Sequence, residues 1–540
     1  MKLLRVHIIK AATCGGLLDG LDLQLRPWNT SPSSFEPLCL IGPNGSGKSQ
    51  LIQAISEIFQ SAIHAVAPNE ERKEANPDIE FELEYSVFPK GLSKPTIIRL
   101  ERKREGRKNP ELIVYRHSSN GWKRCKTSAK STAKLLPEKV IGYTSGGNET
   151  LSLPFLESRS GYAREIAERA RGNQSLDKKD PGKFIPEPRL MLVDYHAHIE
   201  VLVANVMLGT PKLASDLLAH ANLDDLQTFR IVVQTAHSAA RRLPSGEVDL
   251  VDEAKAAVSY LKACATCWDY DKKSKRFTFD YFVNAQSKKA FRYFWRNSIH
   301  LYGAFRKLAM LNDLVLPKPA RKSFRGGGSL PRFASRLPEP FDDDKVFRFE
   351  HVSLIGSKLQ SPIDYASLSD GEHQLAQILG IFAMVSSPNS LFLLDEPESH
   401  SNPQWRVEFI SSLMDLMTSQ GNRRSRSPAS RQDALMTTHA PFVPSDMDKE
   451  RVLIFSKDQT TKEIRVRRPL IQTFGTSFEA ILEECFGVTP PISGEARNEI
   501  ARLRRSKSMK NVASGMKGLG YSLEKALLAD HLRTLKKTRK

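Results

Sequence analysis

Residues Gly42-Pro43-Asn44-Gly45-Ser46-Gly47-Lys48-Ser49 fit the pattern G-x-x-x-x-G-K-S. The chemistry that spacing supports is the grip of a polyphosphate. Gly45 and Gly47 carry no side chain, so the backbone N–H groups from Asn44 onward can crowd around phosphate oxygens. Lys48 is placed to reach the β- and γ-phosphates of a nucleoside triphosphate, and Ser49 to hold Mg²⁺. The motif works only between a strand and a helix. Leu38-Cys39-Leu40-Ile41 reads as a buried strand before it, and Leu51-Ile52-Gln53-Ala54-Ile55 opens a helix after it. The helix N-terminus adds positive potential where phosphate would lie.

A second set of reactive groups lies far downstream. Leu391-Phe392-Leu393-Leu394-Asp395-Glu396 is an apolar strand ending in two carboxylates. Asp395 can bind Mg²⁺, directly or through water, and Glu396 can polarise the attacking water. Alone, these would be solvated acids at a strand end; the phosphate loop gives them a task. Upstream, Ser369 and Gly371 open a helix predicted over Glu372–Val385. A serine cap and an unencumbered glycine at a helix start can receive an anion, although any helix can begin that way. Ala434-Leu435-Met436-Thr437-Thr438-His439-Ala440-Pro441-Phe442 is a further strand running into a turn.

In that order, phosphate loop, Ser369-Asp370-Gly371-Glu372, acidic strand and His439 resemble the ABC-type ATPases of the RecF-like and SMC-like branch, over residues 1–160 and 345–470. The resemblance implies ATP and Mg²⁺ as ligands. It implies that Ser369 and Gly371 close on the γ-phosphate held by a second head, so that ATP joins two subunits. His439 resembles the switch histidine that senses the γ-phosphate. Glu398-Ser399-His400-Ser401-Asn402-Pro403 stands where such heads touch each other. Asn148 stands where they place a polar sensor, though the usual residue is Gln. The fold expected is α/β: an ABC-type head with a parallel core sheet and an antiparallel β subdomain.

Residues 139–149, 395–406 and 473–477 are similar to the PtuA-type ATPases of Septu antiphage systems. That resemblance implies a homodimer or larger homo-oligomer, an HNH nuclease subunit similar to PtuB, and nucleic acid, DNA or RNA, in the complex. Some members stand beside a retron reverse transcriptase, which extends the partners to that enzyme with its RNA and DNA. Two other readings remain open: a RecF-like repair ATPase and a self-contained OLD-type nuclease. Against the latter, Asp446-Met447-Asp448 lacks an upstream strand glutamate, so cutting is expected from a partner chain.

The expected organisation is a first head lobe at 1–160, a mainly helical insertion at 161–345, a second head lobe at 346–470 and a helical basic tail at 471–540. Within the insertion, 209–242 and 284–313 read as helices. Residues 172–182 read as a loop, and the basic, Pro- and Gly-rich 317–340 as either a phosphate-tracking segment or a linker. The loop Gly421–Arg426 reads as solvated. Met1–Ile9 reads as an edge strand, too short in its apolar part for a signal peptide. No apolar run approaches the ~20 residues that cross a bilayer. A cytoplasmic protein without membrane contact is therefore expected. The net charge is +19, from 80 basic and 61 acidic residues, which favours contact with nucleic acid or an acidic protein. Cys264-Ala265-Thr266-Cys267 is the one close cysteine pair; without flanking heptads it reads as ordinary thiols before a zinc hook.

Overall fold

Leu38–Ile41, Ser390–Asp395 and Asp433–Thr438 are buried at every position. Parallel strands covered on both faces are largely apolar, and polar members here such as Asp433 and Thr437 are hydrogen-bonded. The computed structural model describes residues 1–537 except 31–32, 75, 90–93, 107–109, 146–148, 170–185, 194–196, 220, 237–249, 315–342, 344, 358–360, 425, 459 and 490–491. There the three strands belong to a seven-stranded sheet, in the order Ile464–Arg467, Val452–Lys457, Leu38–Ile41, Asp433–Thr438, Ser390–Asp395, Lys139–Thr144, Leu190–Val193. All pairings are parallel except that of the first two.

Alternation along each strand sends neighbouring side chains to opposite faces. Leu38, Leu40, Leu391, Leu393 and Leu435 face the helix Lys48–Val66 and a six-stranded antiparallel sheet. Cys39, Ile41, Phe392, Leu394 and Met436 face the helix Asp370–Met384 and the helices of the insertion. Phe382 stacks on Phe392 with ring centroids 3.9 Å apart. Thus the two helices that begin at the phosphate loop and at Ser369 lie on opposite faces of one sheet.

Met1–Ile9 is not an edge strand. Lys2–Lys10 pairs with Leu21–Gln24 on one side and Glu80–Val87 on the other. Its burial alternates as an edge strand's can, so composition could not tell the two positions apart.

The insertion is less helical than its composition suggested. Ala285–Phe294 and Ser298–Ala309 are helices, as read. Among the described residues of 209–242, however, Pro211–Ala219 alone is helical, and Leu223–Gln234 is a long strand. That strand pairs with Arg276–Phe282 and with Phe347–Gly356 inside a five-stranded antiparallel sheet. Its register against Phe347–Gly356 shifts after Leu223 and again after Leu226 and Thr228. Such bulges add a residue to the strand repeat. Leu223, Leu226 and Phe229 are therefore buried three apart, a spacing that imitates one face of a helix.

The loop Gly421–Arg426 is not uniformly solvated either. Arg423 is fully buried, hydrogen-bonded to Gln432 Oε1 at 2.7 Å and the Phe382 carbonyl at 2.7 Å. Its guanidinium also lies over the Phe382 ring, 4.8 Å from the centroid. Residues 172–182 and 317–340 lie outside the described residues. Among the described residues no helix is long and apolar enough to cross a membrane. Cys264 is buried at a helix end and Cys267 is exposed at a strand start. Beyond Thr476 the chain forms the helices Phe478–Phe486, Gly494–Arg505, Met509–Lys517 and Leu523–Lys537.

Candidate nucleotide site

The phosphate loop joins the strand Leu38–Ile41 to the helix Lys48–Val66. Gly42 has φ +144°, and a Cβ there would lie 2.1 Å from the Phe455 carbonyl oxygen. Gly47, with φ +95°, caps the helix in the left-handed region that glycine adopts without steric cost. Pro43, Asn44 and Gly45 are exposed at the tip, while Ser46, Gly47 and Lys48 are buried.

Lys48 is thus no surface lysine. Its ammonium donates to the carbonyls of Gly42 at 2.8 Å and Pro43 at 3.0 Å. Burial pushes its pKa down to about 8, with Glu396 and Asp395 opposing the shift. A desolvated cation held by two carbonyls is poised for an anion. The Ser46 hydroxyl is buried without a hydrogen-bond partner. An unmet buried donor beside a lysine, in a loop where glycines leave the backbone bare, fits a phosphate oxygen.

The metal-binding pair predicted from sequence meets. Ser49 Oγ donates to Asp395 Oδ1 at 2.8 Å. Two hard oxygens side by side suit Mg²⁺. Asp395 ends the acidic strand two places from the phosphate-loop strand; the strand between them, Asp433–Thr438, supplies Thr437. The Thr437 hydroxyl donates to Asp395 Oδ1 at 2.6 Å and accepts from the Glu396 backbone N–H at 3.0 Å. Thr437 was not singled out in the sequence, because nothing local reveals a contact made 42 residues away.

Glu396 has φ +49°, in the left-handed region that non-glycine residues rarely enter. The turn separates two successive carboxylates by role: Asp395 faces Ser49, and Glu396 receives a hydrogen bond from His439 Nε2 at 2.8 Å. That bond is the main reason the Glu396 carboxyl lies below its ordinary pKa. Ionised and part-exposed, Glu396 can accept a proton. His439 follows the central strand directly, so strand pairing sets its place.

Glu398, which the sequence reading put in the loop expected to touch a second head, turns inward instead. It is buried, and burial raises its pKa to about 7. It accepts a hydrogen bond from the Thr438 hydroxyl. Thr438 in turn accepts from Ala440 N at 3.0 Å, so Glu398 braces the turn that carries His439.

Ser369 caps the helix Asp370–Met384. Its hydroxyl donates to Glu372 Oε2 at 2.8 Å and accepts from Glu372 N at 3.4 Å. A Cβ on Gly371 would lie 2.7 Å from the His400 carbonyl oxygen, so only glycine lets the helix start touch the loop after Glu396. One turn on, Gln374 Nε2 donates to the Ser145 carbonyl at 3.1 Å, at the end of the strand Lys139–Thr144. Asn148, the sensor suggested by resemblance, lies outside the described residues.

A parallel sheet with a phosphate loop at one strand end, an acidic pair two strands away and a histidine between them supports a P-loop ATPase of the AAA/ABC kind. Residues 282–446 match the family described as "AAA domain, putative AbiEii toxin, Type IV TA system". That span holds the Ser369 helix, the acidic strand and His439 but not the phosphate loop. The chain is also similar to Protein ea59 of Escherichia phage lambda, 25% identical over 145 residues. The alignment covers 27% of this chain and 24% of that protein, so the chain spans about a quarter of the relative's length.

Proposed function

We propose that the chain is the ATP-binding and ATP-hydrolysing subunit of an antiphage complex, and that two copies close head to head on nucleotide to govern a separate HNH nuclease. The observation that carries the reading is the hydrogen bond from His439 to Glu396, beside the Ser49–Asp395 pair. A carboxylate and an imidazole beside two oxygens suited to a metal support a reading as a site for phosphoryl transfer to water.

In this reading the loop from Asn44 to Gly47 and Lys48 bind the phosphates. Ser49 and Asp395 would hold Mg²⁺, which when bound neutralises charge on the phosphate oxygens. Glu396 takes the proton of the attacking water, and His439 orients Glu396 and lies toward the γ-phosphate. Ser369 and Gly371 serve the nucleotide of the second copy. Support comes from Ser369 itself, which is exposed and directs its side-chain hydrogen bonds to Glu372.

Support for a protein partner comes from the stretch similar to PtuA-type ATPases at 473–477. Gly475 N donates to the Ser445 carbonyl at 2.9 Å, in the short helix just beyond His439. Phe474 is 60% exposed and Leu470 80% exposed beside it. Movement of the His439 turn would therefore reach a loop that carries two exposed apolar side chains, Leu470 and Phe474, available to a nuclease subunit.

Mixing experiments test the shared site. Ser369→Arg places a bulky cation at a positive helix end and should block closure without preventing ATP binding. Lys48→Ala should abolish ATP binding. Mixtures of the two variants can form at most one intact composite site per dimer. Activity that tracks only the fraction of intact phosphate loops, with no dependence on the partner's signature, would refute closure between heads. Co-expression with the neighbouring genes, followed by pull-down, tests the nuclease partner.

A further inference from the structure

The last three helices form a small unit of their own. Gly494–Arg505, Met509–Lys517 and Leu523–Lys537 pack around Ile500, Leu503 and Leu528. Their direction follows from two contacts. Leu503 shares the core with Leu528, and His531 Nε2 lies 3.1 Å from the Ser506 carbonyl. The first and third helices therefore run parallel, and the second returns between them, with Gly515 tight against Leu503.

This topology sorts the charges. Residues 494–537 hold 11 Lys and Arg against 4 Asp and Glu. Glu495 and Glu499 lie in the first half of the first helix and Glu524 in the first turn of the third, while the fourth acid, Asp530, is exposed one turn before Arg533. At the other end gather Arg504, Arg505, Lys507 and Lys510, together with Arg533 and Lys536 from the last turns of the third helix. All six are exposed, and among the described residues none of them forms an ion pair. Arg502, one turn inward, is the basic residue that does pair, with Glu499 at 2.6 Å.

The helix C-termini offset part of the repulsion among Arg504, Arg505, Arg533 and Lys536, but Lys507 and Lys510 add to it from the loop and from the start of the second helix, so the pole keeps an excess of positive charge. We infer that this pole of the three-helix unit is a docking surface for the phosphate backbone of duplex DNA. Three features favour a duplex. The cations come from three helix ends, and packed helices stand about 8–10 Å apart, so the charge spreads across a width comparable to a double helix. The pole carries no Phe, Tyr or Trp on which an unpaired base could stack, as single-strand sites do. Flexible lysines and arginines without a built pocket suit a repeating charge, which gives affinity without sequence preference. The inference stands apart from the ATPase reading, since the surface uses no residue of the nucleotide site.

The experiment is fluorescence anisotropy of a labelled 30-base-pair DNA with the full chain and no nucleotide, at several salt concentrations. Arg504, Arg505, Lys507 and Lys510 are changed together to Glu. A control of equal charge change converts the exposed Lys123, Lys126, Lys130 and Lys134 of the first lobe to Glu. The pole variant should bind at least about tenfold more weakly, and its log K against log salt slope should fall by about 3–4, at roughly 0.9 per lost phosphate contact. The control should keep most of the affinity and the slope. If the Glu variant misfolds by circular dichroism, Gln at the same four positions gives the same comparison. Equal losses in both variants, or none in either, would overturn the inference. So would a single strand bound as tightly as the duplex, or displacement of DNA by poly-glutamate at equal charge, which would make the pole a dock for acidic protein. Retained ATP-dependent thermal stabilisation in the pole variant keeps this outcome separate from the nucleotide site.

Discussion

The Thr437 hydroxyl donates to Asp395 Oδ1 at 2.6 Å while accepting from the backbone N–H of the very next residue, Glu396, at 3.0 Å. One side chain on the central strand thus fixes both the Asp395 carboxylate and the turn that swings its neighbour away. In the proposed mechanism this packing contact matters for chemistry, because a carboxylate that rotates cannot present a fixed oxygen to a cation.

Thr437→Val keeps the shape and removes both bonds. The Mg²⁺ concentration needed for half-maximal ATP hydrolysis should rise about tenfold or more, as for other partners that orient metal ligands. A Mg²⁺ titration of the hydrolysis rate checks this, and an unchanged midpoint would mean that Asp395 is held without Thr437.

Glu396→Gln keeps the size of the side chain but cannot take a proton. Hydrolysis should fall by a factor on the order of 10² or more, while ATP still raises the melting temperature. Steady-state phosphate release and thermal shift are the two measurements. A wild-type rate would reduce Glu396 to a strand-end acid.

ATP affinity should depend on pH through Lys48. Free of nucleotide, its ammonium loses its proton near pH 8 because it is desolvated. A bound triphosphate favours the charged form, so binding takes up a proton above that pH. The dissociation constant should be flat below pH 8 and rise by up to about tenfold per unit above it. A fluorescent ATP analogue titrated between pH 6.5 and 9.5 reads this directly. Lys48→Ala should remove the ATP-dependent thermal shift at every pH.

Glu398 gives a stability prediction. Its carboxyl ionises near 4.5 when unfolded and near 7 when buried in the native chain. Between those values the native state keeps a proton that the unfolded state has lost. Its contribution therefore declines as pH rises across the window, by at most about 1.4 kcal/mol per unit, and is level above it. Glu398→Gln does not titrate. Wild-type stability relative to the variant, from urea midpoints at pH 4.5 to 8, should fall over that window; a constant difference would place Glu398 in a wetter site.

What could be read from the sequence was the chemistry that sits on contiguous residues. Backbone N–H groups, Lys48 and Ser49 must be neighbours to surround one phosphate tail, and Asp395 and Glu396 must follow a strand to point out of a sheet. Ser49 and Asp395 met because both belong to such signatures. Thr437, Glu398 and Gln374 act through partners on other strands or loops, and no local spacing encodes a pairing register. Leu223–Gln234 was misread for a different reason: its bulges gave a strand the three-residue rhythm of a helix. Arg423 misled because a basic loop is ordinarily solvated, whereas this arginine is fixed by Gln432 and the Phe382 carbonyl.

The order of the central sheet has one more consequence. Strands from the first lobe and the last third of the chain alternate within it: Val452–Lys457, then Leu38–Ile41, then Asp433–Thr438. The phosphate-loop strand therefore has no neighbour in its own sheet until residues some 400 positions later exist. On the ribosome, Lys48 and Ser49 emerge early but cannot be seated against Asp395 until the insertion has been made and passed. A nascent chain that has not yet reached residues 433–457 cannot flank the phosphate-loop strand, so the order of synthesis itself delays assembly of the site.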